Sequence, residues 1–351
     1  MRQIKLLLVS PCQGSYGGIE AFLLALADVI RRQPDFALKI CFKRVRGFSL
    51  RPSLAAMLHD QPITFVERAG KQLADAIRWA DVIHLQNASP DVVFLAKLFG
   101  KKIVLTIHNY MPRQLNAHRL LWRMSARLAD ARWYNSNFVL RTWEGENPLQ
   151  GSRRIMTTSR LPEGCTPPGK RRGFVFVGRW IANKGIETLV EAYAKAEIDR
   201  EAWPLTLIGV GPLRASVEAL VKNRGLTAVQ MPGFVDDVAK AELMRNARWI
   251  VVPPHTNEDL GLTALEGRNL GVPCIITRDG GLPEAGGTQA LMCDPGDVTG
   301  LARLLERAAE MGANEYAVRA EKTKVELADE MTPLEFYPES YRRILSGESL
   351  G

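Results

Sequence analysis

Two glutamates stand eight positions apart in a stretch that is otherwise mostly apolar. Residues 257–267 read NEDLGLTALEG, with Glu258 and Glu266 on either side of Gly261. A helix is expected to begin near Gly261, so that Glu258 precedes it and Glu266 lies inside it. Eight helical residues span roughly 12 Å, and the free N–H groups of a helix start favour anions. One acid could therefore hydrogen-bond sugar hydroxyls and the other a ribose diol, with a diphosphate between them. Acids that merely enrich a helix start are the alternative.

Positive charge suited to a diphosphate is available in the segment FVGRWIANKG. Arg179 and Lys184 lie five residues apart in a loop that follows the strand GFVFVG and enters a helix. The planar donor fork of arginine and the compact charge of lysine together suit a diphosphate leaving group. Two surface bases without a ligand are the alternative.

Other strand ends of the second half carry glycines and one aromatic residue. Gly209 and Gly211 follow the strand PLTLIG, where they let a backbone approach a ligand or simply form a turn. Gly233 and Phe234 close the strand AVQMPG, and Phe234 could pack near a nucleobase. The acids at 236 and 237 are interpreted as helix caps rather than metal ligands. Because no D-x-D occurs in the chain, metal-held diphosphate chemistry is not encoded.

The first half offers fewer candidates. Gly17 and Gly18 stand between the first strand and a helix, without the full G-x-G-x-x-G pattern but sterically suited to a phosphate at the helix start. The strand KIVLTIH delivers His108 to the carboxyl end of a sheet, where a neutral imidazole can donate to substrate oxygens. A purely structural histidine is the alternative.

Short β-branched or leucine-rich runs alternate with amphipathic stretches along the chain, which predicts α/β units with parallel strands. The first half is predicted to contain strands IKLLLV, LKICF, VIHLQ, KIVLTIH and ARWYNS, with helices at 18–32, 90–99 and 113–129. Residues 159–173 indicate a linker. After it we predict strands GFVFVG, PLTLIG, AVQMPG, WIVVP and PCIIT, with helices at 184–196, 212–224, 237–246 and 261–270. Two doubly wound domains with a ligand cleft between them follow from this order.

Length and composition agree with two folded domains. The chain has 351 residues, of which 46% are hydrophobic and 24% charged, ordinary values for a globular protein. The N-terminal MRQIKLLLVSPC is interpreted as a buried strand rather than a targeting segment, and no stretch reaches the ~20 apolar residues of a bilayer span. Five scattered cysteines without C-x-x-C spacing predict neither a disulfide framework nor a zinc site, and they fit a reducing cytoplasm.

Positive charge is concentrated in the first half. Residues 1–165 hold 24 Lys and Arg against 12 Asp and Glu, a net +12, whereas residues 166–351 hold 22 against 26, a net −4. The segments 43–51 and 119–133 interleave these bases with apolar residues, and we interpret them as a patch for an anionic membrane surface or for the acceptor. A solvated basic face is the alternative, and no nucleic-acid-binding module accompanies the charge. The patch residues are Lys43, Arg44, Arg46, Arg119, Trp122, Arg123 and Arg127.

Together these motifs resemble glycosyltransferase family 4, a family of retaining glycosyltransferases with the GT-B fold. The resemblance rests on a glycine pair after the first strand, T-I-H, G-R followed by K-G, G-x-G-P-L, P-G-F-V, E-x₇-E and GVPCIITRDGGLPE, in the family's order. It implies that Arg179 and Lys184 neutralise the donor diphosphate. It also implies that Glu258 binds the donor sugar, that Glu266 binds the ribose and that His108 lies beside the sugar at the reaction centre.

The resemblance also assigns further residues to donor binding, and three positions depart from the family's usual residues. Asp259 stands where relatives usually have Gly, Gly267 where they have Ala, and Asn109 where they have Asp. The residues assigned to catalysis are His108, Glu258, Arg179 and Lys184. The residues assigned to donor binding are Gly17, Gly18, Gly209, Gly233, Phe234, Leu260, Gly261, Leu262, Thr263 and Glu266.

We therefore predict a GT-B fold with two Rossmann-like doubly wound domains. Residues 1–165 are assigned to the acceptor domain, 166–331 to the nucleotide-sugar domain and 332–351 to a helix that packs back on the first. The predicted activity is retaining, metal-independent transfer of a hexose-type sugar from a UDP or GDP sugar to a lipid-linked or saccharide acceptor in glycan or polysaccharide biosynthesis. The nucleotide sugar is a co-substrate, and neither cofactor nor metal is expected.

The predicted location is the cytoplasm, with peripheral contact to the anionic inner leaflet and no nucleic-acid partner. Two alternatives remain. A GT-B-fold nucleotide-sugar 2-epimerase would convert its donor without an acceptor. A non-catalytic basic module would bind anionic membrane or nucleic acid with a steep salt dependence.

Overall fold

The structure, a computed structural model, describes residues 2–14, 17–58, 61–114, 116–158 and 161–348. The chain divides into two compact units, which we call unit 1 (Met1–Arg160 with Thr332–Gly351) and unit 2 (Leu161–Met331). The division falls at 160/161, whereas the sequence placed it at 165/166. Each unit has its own sheet and its own buried core.

Unit 1 is built on a sheet of seven parallel strands. Apolar residues occupy both faces of its central strands, a pattern typical of parallel strands covered by helices on both sides. The strand order is β3-β2-β1-β4-β5-β6-β7, so the direction of winding reverses between β1 and β4. The strands are β1 (Ile4–Cys12), β2 (Phe36–Arg44), β3 (Ile63–Val66), β4 (Val82–Gln86), β5 (Lys102–Ile107), β6 (Ala131–Tyr134) and β7 (Ser152–Arg154).

Helices cover both faces of this sheet. The first, for example, buries Phe22, Leu23, Leu26 and Ile30 at helical spacing. The helices before the linker are α1 (Gly18–Arg31), α2 (Pro52–Leu58), α3 (Lys71–Trp79), α4 (Pro90–Leu98), α5 (Ala117–Leu128) and α6 (Asn137–Glu144).

Unit 2 repeats the same plan on six parallel strands. Their order is β10-β9-β8-β11-β12-β13, and the winding reverses between β8 and β11. The strands are β8 (Arg172–Val177), β9 (Leu205–Ile208), β10 (Val229–Gly233), β11 (Ala247–Val252), β12 (Cys274–Thr277) and β13 (Leu291–Cys293). The helices are α7 (Ile186–Lys195), α8 (Arg214–Asn223), α9 (Asp237–Asn246), α10 (Leu262–Asn269), α11 (Leu282–Gly286), α12 (Val298–Glu310) and α13 (Ala313–Glu330).

The last helix, α14 (Phe336–Ser346), belongs to unit 1. Tyr337 and Tyr341 are fully buried there, and their rings pack around Trp133 of β6 at centroid distances of 5.1 and 6.3 Å. Arg342 adds a bidentate contact to Asp35, with both donor–acceptor distances 2.8 Å. The core of unit 1 is therefore completed by residues that follow unit 2 in the sequence.

The two parallel sheets confirm the predicted α/β class with two Rossmann-like domains. The helix expected at 113–129 begins only at Ala117, because the Asn116 side chain accepts the N–H of Arg119 and caps the helix. The expected linker, 159–173, begins with two residues outside the described ranges, and its last two residues belong to β8. No helix in the described ranges is long and apolar enough to cross a membrane.

Candidate functional site

The candidate site of unit 2 lies where the winding of its sheet reverses. β8 and β11 are neighbours, and ligands of open α/β sheets bind at the carboxyl ends of such strands. Arg179 and Lys184 follow β8, and Glu258 follows β11. The two predicted bases and the first predicted acid therefore emerge from adjacent strands at one edge of the sheet.

Lys184 and Glu258 form an ion pair. Their Nζ and Oε2 atoms are 2.5 Å apart, and the side chains are only 25% and 17% exposed. Arg179 is exposed, and no ion pair of its guanidinium occurs in the part of the chain that the structure describes. Its neighbour Trp180 is buried, and the backbone N–H of Trp180 donates to the carbonyl of Val210 at 3.0 Å, which fixes the loop. One free base and one paired base thus stand at this edge.

The backbone of Glu258 is held by the next loop of the sheet, after β12. Both carboxylate oxygens of the buried Asp279 accept backbone N–H groups, from Asn257 at 2.8 Å and from Glu258 at 2.7 Å. The N–H of Gly281 donates to the Glu258 carbonyl at 2.7 Å. Gly280 has φ +55°, and a Cβ there would lie 2.1 Å from that carbonyl oxygen. The D-G-G sequence therefore positions the first acid of the E-x₇-E motif.

Further contacts join the loop that carries Lys184 to the loop after β11. The N–H of His255 donates to the carbonyl of Asn183 at 2.9 Å, and the His255 Nε2 lies 2.6 Å from the Thr188 hydroxyl. Gly185 adopts φ +69°, and a Cβ there would lie 1.8 Å from the Pro253 carbonyl oxygen. The two loops that carry Lys184 and Glu258 are thus packed backbone against backbone.

The second acid, Glu266, faces a lysine that the sequence did not single out. Lys240 of α9 places its Nζ 3.0 Å from Glu266 and 3.2 Å from Asp237. Burial alone would lower the pKa of Lys240, but the two carboxylates outweigh it and raise that pKa. Lys240 is therefore charged at neutral pH. Asp236, as expected, caps α9 by accepting the Ala239 N–H at 2.8 Å.

The start of α10 carries the remaining donor candidates of this loop. Gly261 has φ +101° and precedes the first helical residue, Leu262, and no side chain caps the helix. The Thr263 hydroxyl donates to the carbonyl of Val177 at the end of β8, 3.3 Å away, and so ties α10 to that strand. Leu260 is buried, whereas Leu262 is 41% exposed. The uncapped N–H groups of α10 lie between the two acids in sequence, as the motif predicted.

The glycines of unit 2 divide into two groups. A Cβ on Gly209 would lie 1.9 Å from the Gly178 carbonyl oxygen, and one on Gly211 would lie 2.3 Å from the Trp180 carbonyl oxygen. Protein fills the position of a Cβ at these two glycines, as a tight turn requires, and approach of their backbone to a ligand stays a prediction. Gly233, by contrast, has only the tip of one arginine side chain near it. The next residue, Phe234, is 80% exposed and offers a free aromatic face.

In unit 1, His108 lies at the end of β5 and belongs to a hydrogen-bonded row. Its Nε2 lies 2.7 Å from Oε1 of Gln86 at the end of β4. Gln86 Nε2 lies 3.4 Å from the buried His84, whose other ring nitrogen lies 2.7 Å from the Tyr341 hydroxyl of α14. Burial lowers the pKa of His108 to about 4, so its imidazole is neutral at pH 7. The hydrogen bond to Gln86 fixes the orientation of the His108 ring.

The predicted phosphate position at the start of α1 is occupied by the chain itself. Glu20 turns back toward the helix start, where a Cβ on Gly17 would lie 3.3 Å from its carboxylate. Burial raises the pKa of Glu20 despite hydrogen bonds from the backbone N–H groups of Gly17 and Glu20. Gly18 is the first residue of α1. A phosphate here would have to displace this carboxylate.

The predicted basic patch needs correction. Lys43 is buried, with its Nζ 2.7 Å from Asp91, and it also contacts Ser89, so it is not a surface base. Arg119 and Arg123 are half-buried and donate to backbone carbonyls at 2.8 and 3.1 Å, because the stripe they share turns toward the protein. Trp122 is half-buried as well. Exposed patch bases are Arg44, which pairs with Glu67 at 2.9 Å, Arg46 and Arg127.

Sequence reasoning missed Asp279, Lys240 and Gln86. Asp279 precedes the double glycine of a recognised motif, but an acid that serves only backbone N–H groups leaves no spacing signal. Lys240 is one of several charged residues on an amphipathic helix. Gln86 ends a strand that was recognised, and the polar end of an otherwise buried strand was the available signal.

Residues 161–325, a little under half of the chain, match the family described as Glycosyl transferases group 1. D-rhamnosyltransferase WbpZ of Pseudomonas aeruginosa is 26% identical over 233 residues, which cover 60% of this chain and 58% of the relative. N-acetyl-alpha-D-glucosaminyl L-malate synthase of Bacillus anthracis is 36% identical over 153 residues, which cover 43% of this chain and 39% of the relative. The aligned segments thus span less than two thirds of the length of either relative.

The solved structure of HepE from Anabaena in complex with UDP superimposes on nearly the whole chain. The TM-score is 0.79 at 15% identity, with 98% of this chain and 100% of HepE covered. At this identity the likeness concerns the fold. It confirms the two-domain GT-B architecture predicted from the sequence.

Proposed function

We propose that this chain, whose residues 161–325 match the Glycosyl transferases group 1 family and whose fold is GT-B, is a glycosyltransferase that uses a nucleotide-diphosphate sugar. One observation carries the proposal. Unit 2 has two lysine–glutamate pairs: Lys184–Glu258 lies at the carboxyl ends of β8 and β11, where the winding of the sheet reverses, and Lys240–Glu266 joins the helices that follow β10 and β11. The acids can accept hydrogen bonds from hydroxyls and the bases can bind phosphates, so the site suits a ligand that carries both.

The pair of Lys184 and Glu258 suggests how the donor binds. A diphosphate carries more negative charge than one carboxylate, so it competes for Lys184 with help from Arg179, which has no ion pair among the described residues. Glu258 then loses its ion-pair partner and accepts hydrogen bonds from donor-sugar hydroxyls. Because Asp279 holds the backbone of Glu258, only the side chain has to reorient.

The ribose and the nucleobase are assigned to the second pair and its surroundings. Glu266 accepts the ribose diol, and Lys240 keeps that carboxylate ionised and oriented. Phe234 supplies an apolar face for the base. A UDP or GDP sugar is proposed as the donor, and the UDP complex of HepE supports the former.

The chemical step is proposed to be retaining and independent of metal, as in glycosyltransferase family 4. Arg179 and Lys184 supply the positive charge that stabilises the leaving diphosphate. Neutral His108 is assigned to hydrogen-bond the sugar. Gly17 and Gly18 are assigned to the phosphates, which would first have to displace the Glu20 carboxylate from the start of α1. The acceptor hydroxyl attacks the sugar on the face from which the diphosphate leaves, and its proton passes to the leaving phosphate. No protein nucleophile is therefore required.

The acceptor is proposed to be lipid-linked or a saccharide, within glycan or polysaccharide biosynthesis. The reaction is assigned to the cytoplasm, with the basic unit 1 resting on the anionic inner leaflet. The Bacillus anthracis relative, whose name specifies L-malate, makes a small hydroxy acid the acceptor class to test beside these two.

A thermal-shift screen of UDP, GDP, ADP and their common sugars, with EDTA or with Mg²⁺, tests the proposal. A ligand at 100 times its Kd adds about 2.7 kcal/mol of stability. Stabilisation by one nucleotide family in EDTA is expected. Conversion of free donor without acceptor would indicate the epimerase instead. No thermal shift with any of these ligands, together with salt-sensitive binding to anionic vesicles or nucleic acid, would indicate the non-catalytic module.

A further inference from the structure

Two neighbouring helices of unit 1 expose large apolar side chains to solvent. Single exposed leucines are ordinary, but contiguous apolar surface on a globular protein usually marks an interaction site. Six such residues lie on α4 and α5, and we call them the α4/α5 face: Phe94, Leu98, Leu120, Leu121, Met124 and Leu128, which are 37, 77, 62, 39, 44 and 40% exposed.

The two helices lie side by side. They follow the adjacent parallel strands β4 and β5, and their carboxyl ends are joined through Lys97, whose Nζ lies 2.9 Å from Asp130 just beyond α5. Phe94 and Leu98 are four residues apart on α4, and Leu121, Met124 and Leu128 follow helical spacing on α5. Each helix therefore presents one apolar stripe, and the stripes are neighbours.

The charged residues within the stretch of sequence that contains this face have one sign, and two of them, Lys97 and Lys102, pair with Asp130 beyond its end. Residues 92–129, which form most of α4, all of β5 and all of α5, contain seven Lys and Arg and no Asp or Glu. The acids that bound this stretch, Asp91 and Asp130, are already paired with lysines. The bases are Lys97, Lys101, Lys102, Arg113, Arg119, Arg123 and Arg127.

We infer that the α4/α5 face is a membrane-docking surface for an anionic lipid bilayer. An apolar helical stripe bordered by bases suits the boundary between headgroups and acyl chains, where apolar side chains enter and bases stay at the phosphates. Arg127, which is exposed, is placed to contact headgroups, whereas Arg119 and Arg123 hold the helix to the protein. Leucines, rather than the arginine stripe predicted from the sequence, thus make the contact.

The charge argues against a second copy of the chain as the occupant. A two-fold interface brings identical patches together, so a stretch with seven bases and no acid would face another like it. An anionic lipid surface is complementary to it instead. The inference deepens the proposed function by naming how unit 1 would reach a lipid-linked acceptor, but the docking itself requires no glycosyl transfer.

Vesicle flotation of the full chain tests the inference. The probe is phosphatidylglycerol mixed with phosphatidylcholine, compared with phosphatidylcholine alone, and neither contains a glycolipid. Leu121→Gln with Met124→Gln should lower partitioning into the anionic vesicles by about tenfold or more, since each withdraws a leucine-sized side chain from an apolar environment. The matched control, Val318→Gln with Val325→Gln, changes two apolar residues of α13 in unit 2 that are somewhat more exposed than Leu121 and Met124, and it should leave partitioning unchanged.

A second variant guards against a folding defect in the first. Leu120→Gln alters a side chain that is already 62% exposed, and it should lower partitioning severalfold with an unchanged thermal midpoint. Added salt should weaken binding of every variant to anionic vesicles. Nucleoside-diphosphate stabilisation, measured in parallel, reports on unit 2 and separates failure of the docking surface from failure of the proposed activity.

Two results would overturn the inference. One is equal vesicle binding by the wild type and by both α5 variants. The other is a concentration-dependent dimer that the α5 variants abolish while the wild type ignores anionic vesicles, which would assign the face to a second copy.

Discussion

At the scale of single residues, the candidate site consists of charges that are already paired. Lys184 with Glu258 and Lys240 with Glu266 are both mostly shielded from solvent. Breaking such a pair leaves one charge without a partner, which costs more than the pair contributes. The site is therefore expected to exchange partners when the ligand binds rather than to separate bare charges.

Glu258→Ala and Glu266→Ala should have different effects. Removing Glu258 frees Lys184 for phosphate, so nucleoside-diphosphate affinity should stay constant or rise while sugar transfer falls by at least about a hundredfold, in the range of a lost charged contact made at the reacting sugar. Removing Glu266 deletes the ribose contact and should weaken nucleotide binding about tenfold or more. Titration calorimetry and a transfer assay separate the two. Equal, negligible effects on both quantities would contradict the assignment of the two acids.

Asp279→Asn should uncouple the Glu258 loop. The amide has one acceptor oxygen in place of two, so one backbone N–H loses its partner and then faces an NH₂ group, at a cost of about 1–3 kcal/mol. Transfer should fall while nucleoside-diphosphate binding is retained. The control, Asp294→Asn, changes a largely exposed acid that pairs with Arg278 on the surface and should have no effect on transfer. An unchanged transfer rate in Asp279→Asn would show that the hydrogen bonds to Asp279 are dispensable for transfer.

At the scale of elements, the alternation of buried runs and amphipathic stretches correctly predicted most strands and helices. It assigned no helix to the segments that form α2, α3, α6, α11, α12 and α13. It also missed three short edge strands: β3, which has four residues and is half-exposed, β7, which has three residues and no buried side chain, and β13, which has three residues. Short edge strands bury too little to leave a pattern. The E-x₇-E motif and the basic loop were found from the sequence because each has a fixed spacing. Their pairing could not be predicted, because it depends on which strands become neighbours.

Gly280, which follows Asp279 and packs against the Glu258 carbonyl, should not tolerate a side chain. Gly280→Ala places a Cβ 2.1 Å from the Glu258 carbonyl oxygen at φ +55°, whereas Gly296→Ala has a similar φ of +76° and open space. The left-handed backbone alone costs an alanine about 1–2 kcal/mol, so the excess loss in Gly280→Ala measures the collision. Chemical denaturation should show that excess, together with weaker donor-sugar binding in Gly280→Ala only. Equal destabilisation of the two variants would show that the loop yields freely.

At the scale of the whole molecule, the chain is asymmetric in charge and in construction. Unit 1 contains the basic stretch and receives α14 from the far end of the sequence, whereas unit 2 contains both lysine–glutamate pairs. Composition alone predicted the charge asymmetry. The location of exposed apolar surface on α4 and α5 could not be predicted, because leucines that face solvent and leucines that face the core share one helical period.

Unit 1 should lose stability as the pH falls below neutrality. Burial lowers the pKa of His84 to about 3, below its unfolded value of about 6.5, so the unfolded chain binds more protons between these values. Stability contributed by neutral His84 is therefore complete above pH 6.5 and is lost on acidification, by about 2 kcal/mol at pH 5. Denaturation at pH 7 and pH 5 checks this. His84→Phe should remove about half of the dependence, because the stability contributed by neutral His108, whose pKa burial lowers to about 4, is lost on acidification with the same sign. The exposed control His118→Gln should leave the dependence unchanged.

The central claim, that the lysine–glutamate edge of unit 2 binds a nucleoside diphosphate, is tested most directly by calorimetric titration of UDP, GDP and ADP in EDTA. The account predicts one site for one of these ligands. It also predicts that Lys184→Ala weakens binding about tenfold or more, as expected for loss of a charge-assisted hydrogen bond. Lys322→Ala, an exposed lysine of α13, should bind as the wild type does. No binding by any of the three, or equal affinity in the wild type and Lys184→Ala, would contradict the account.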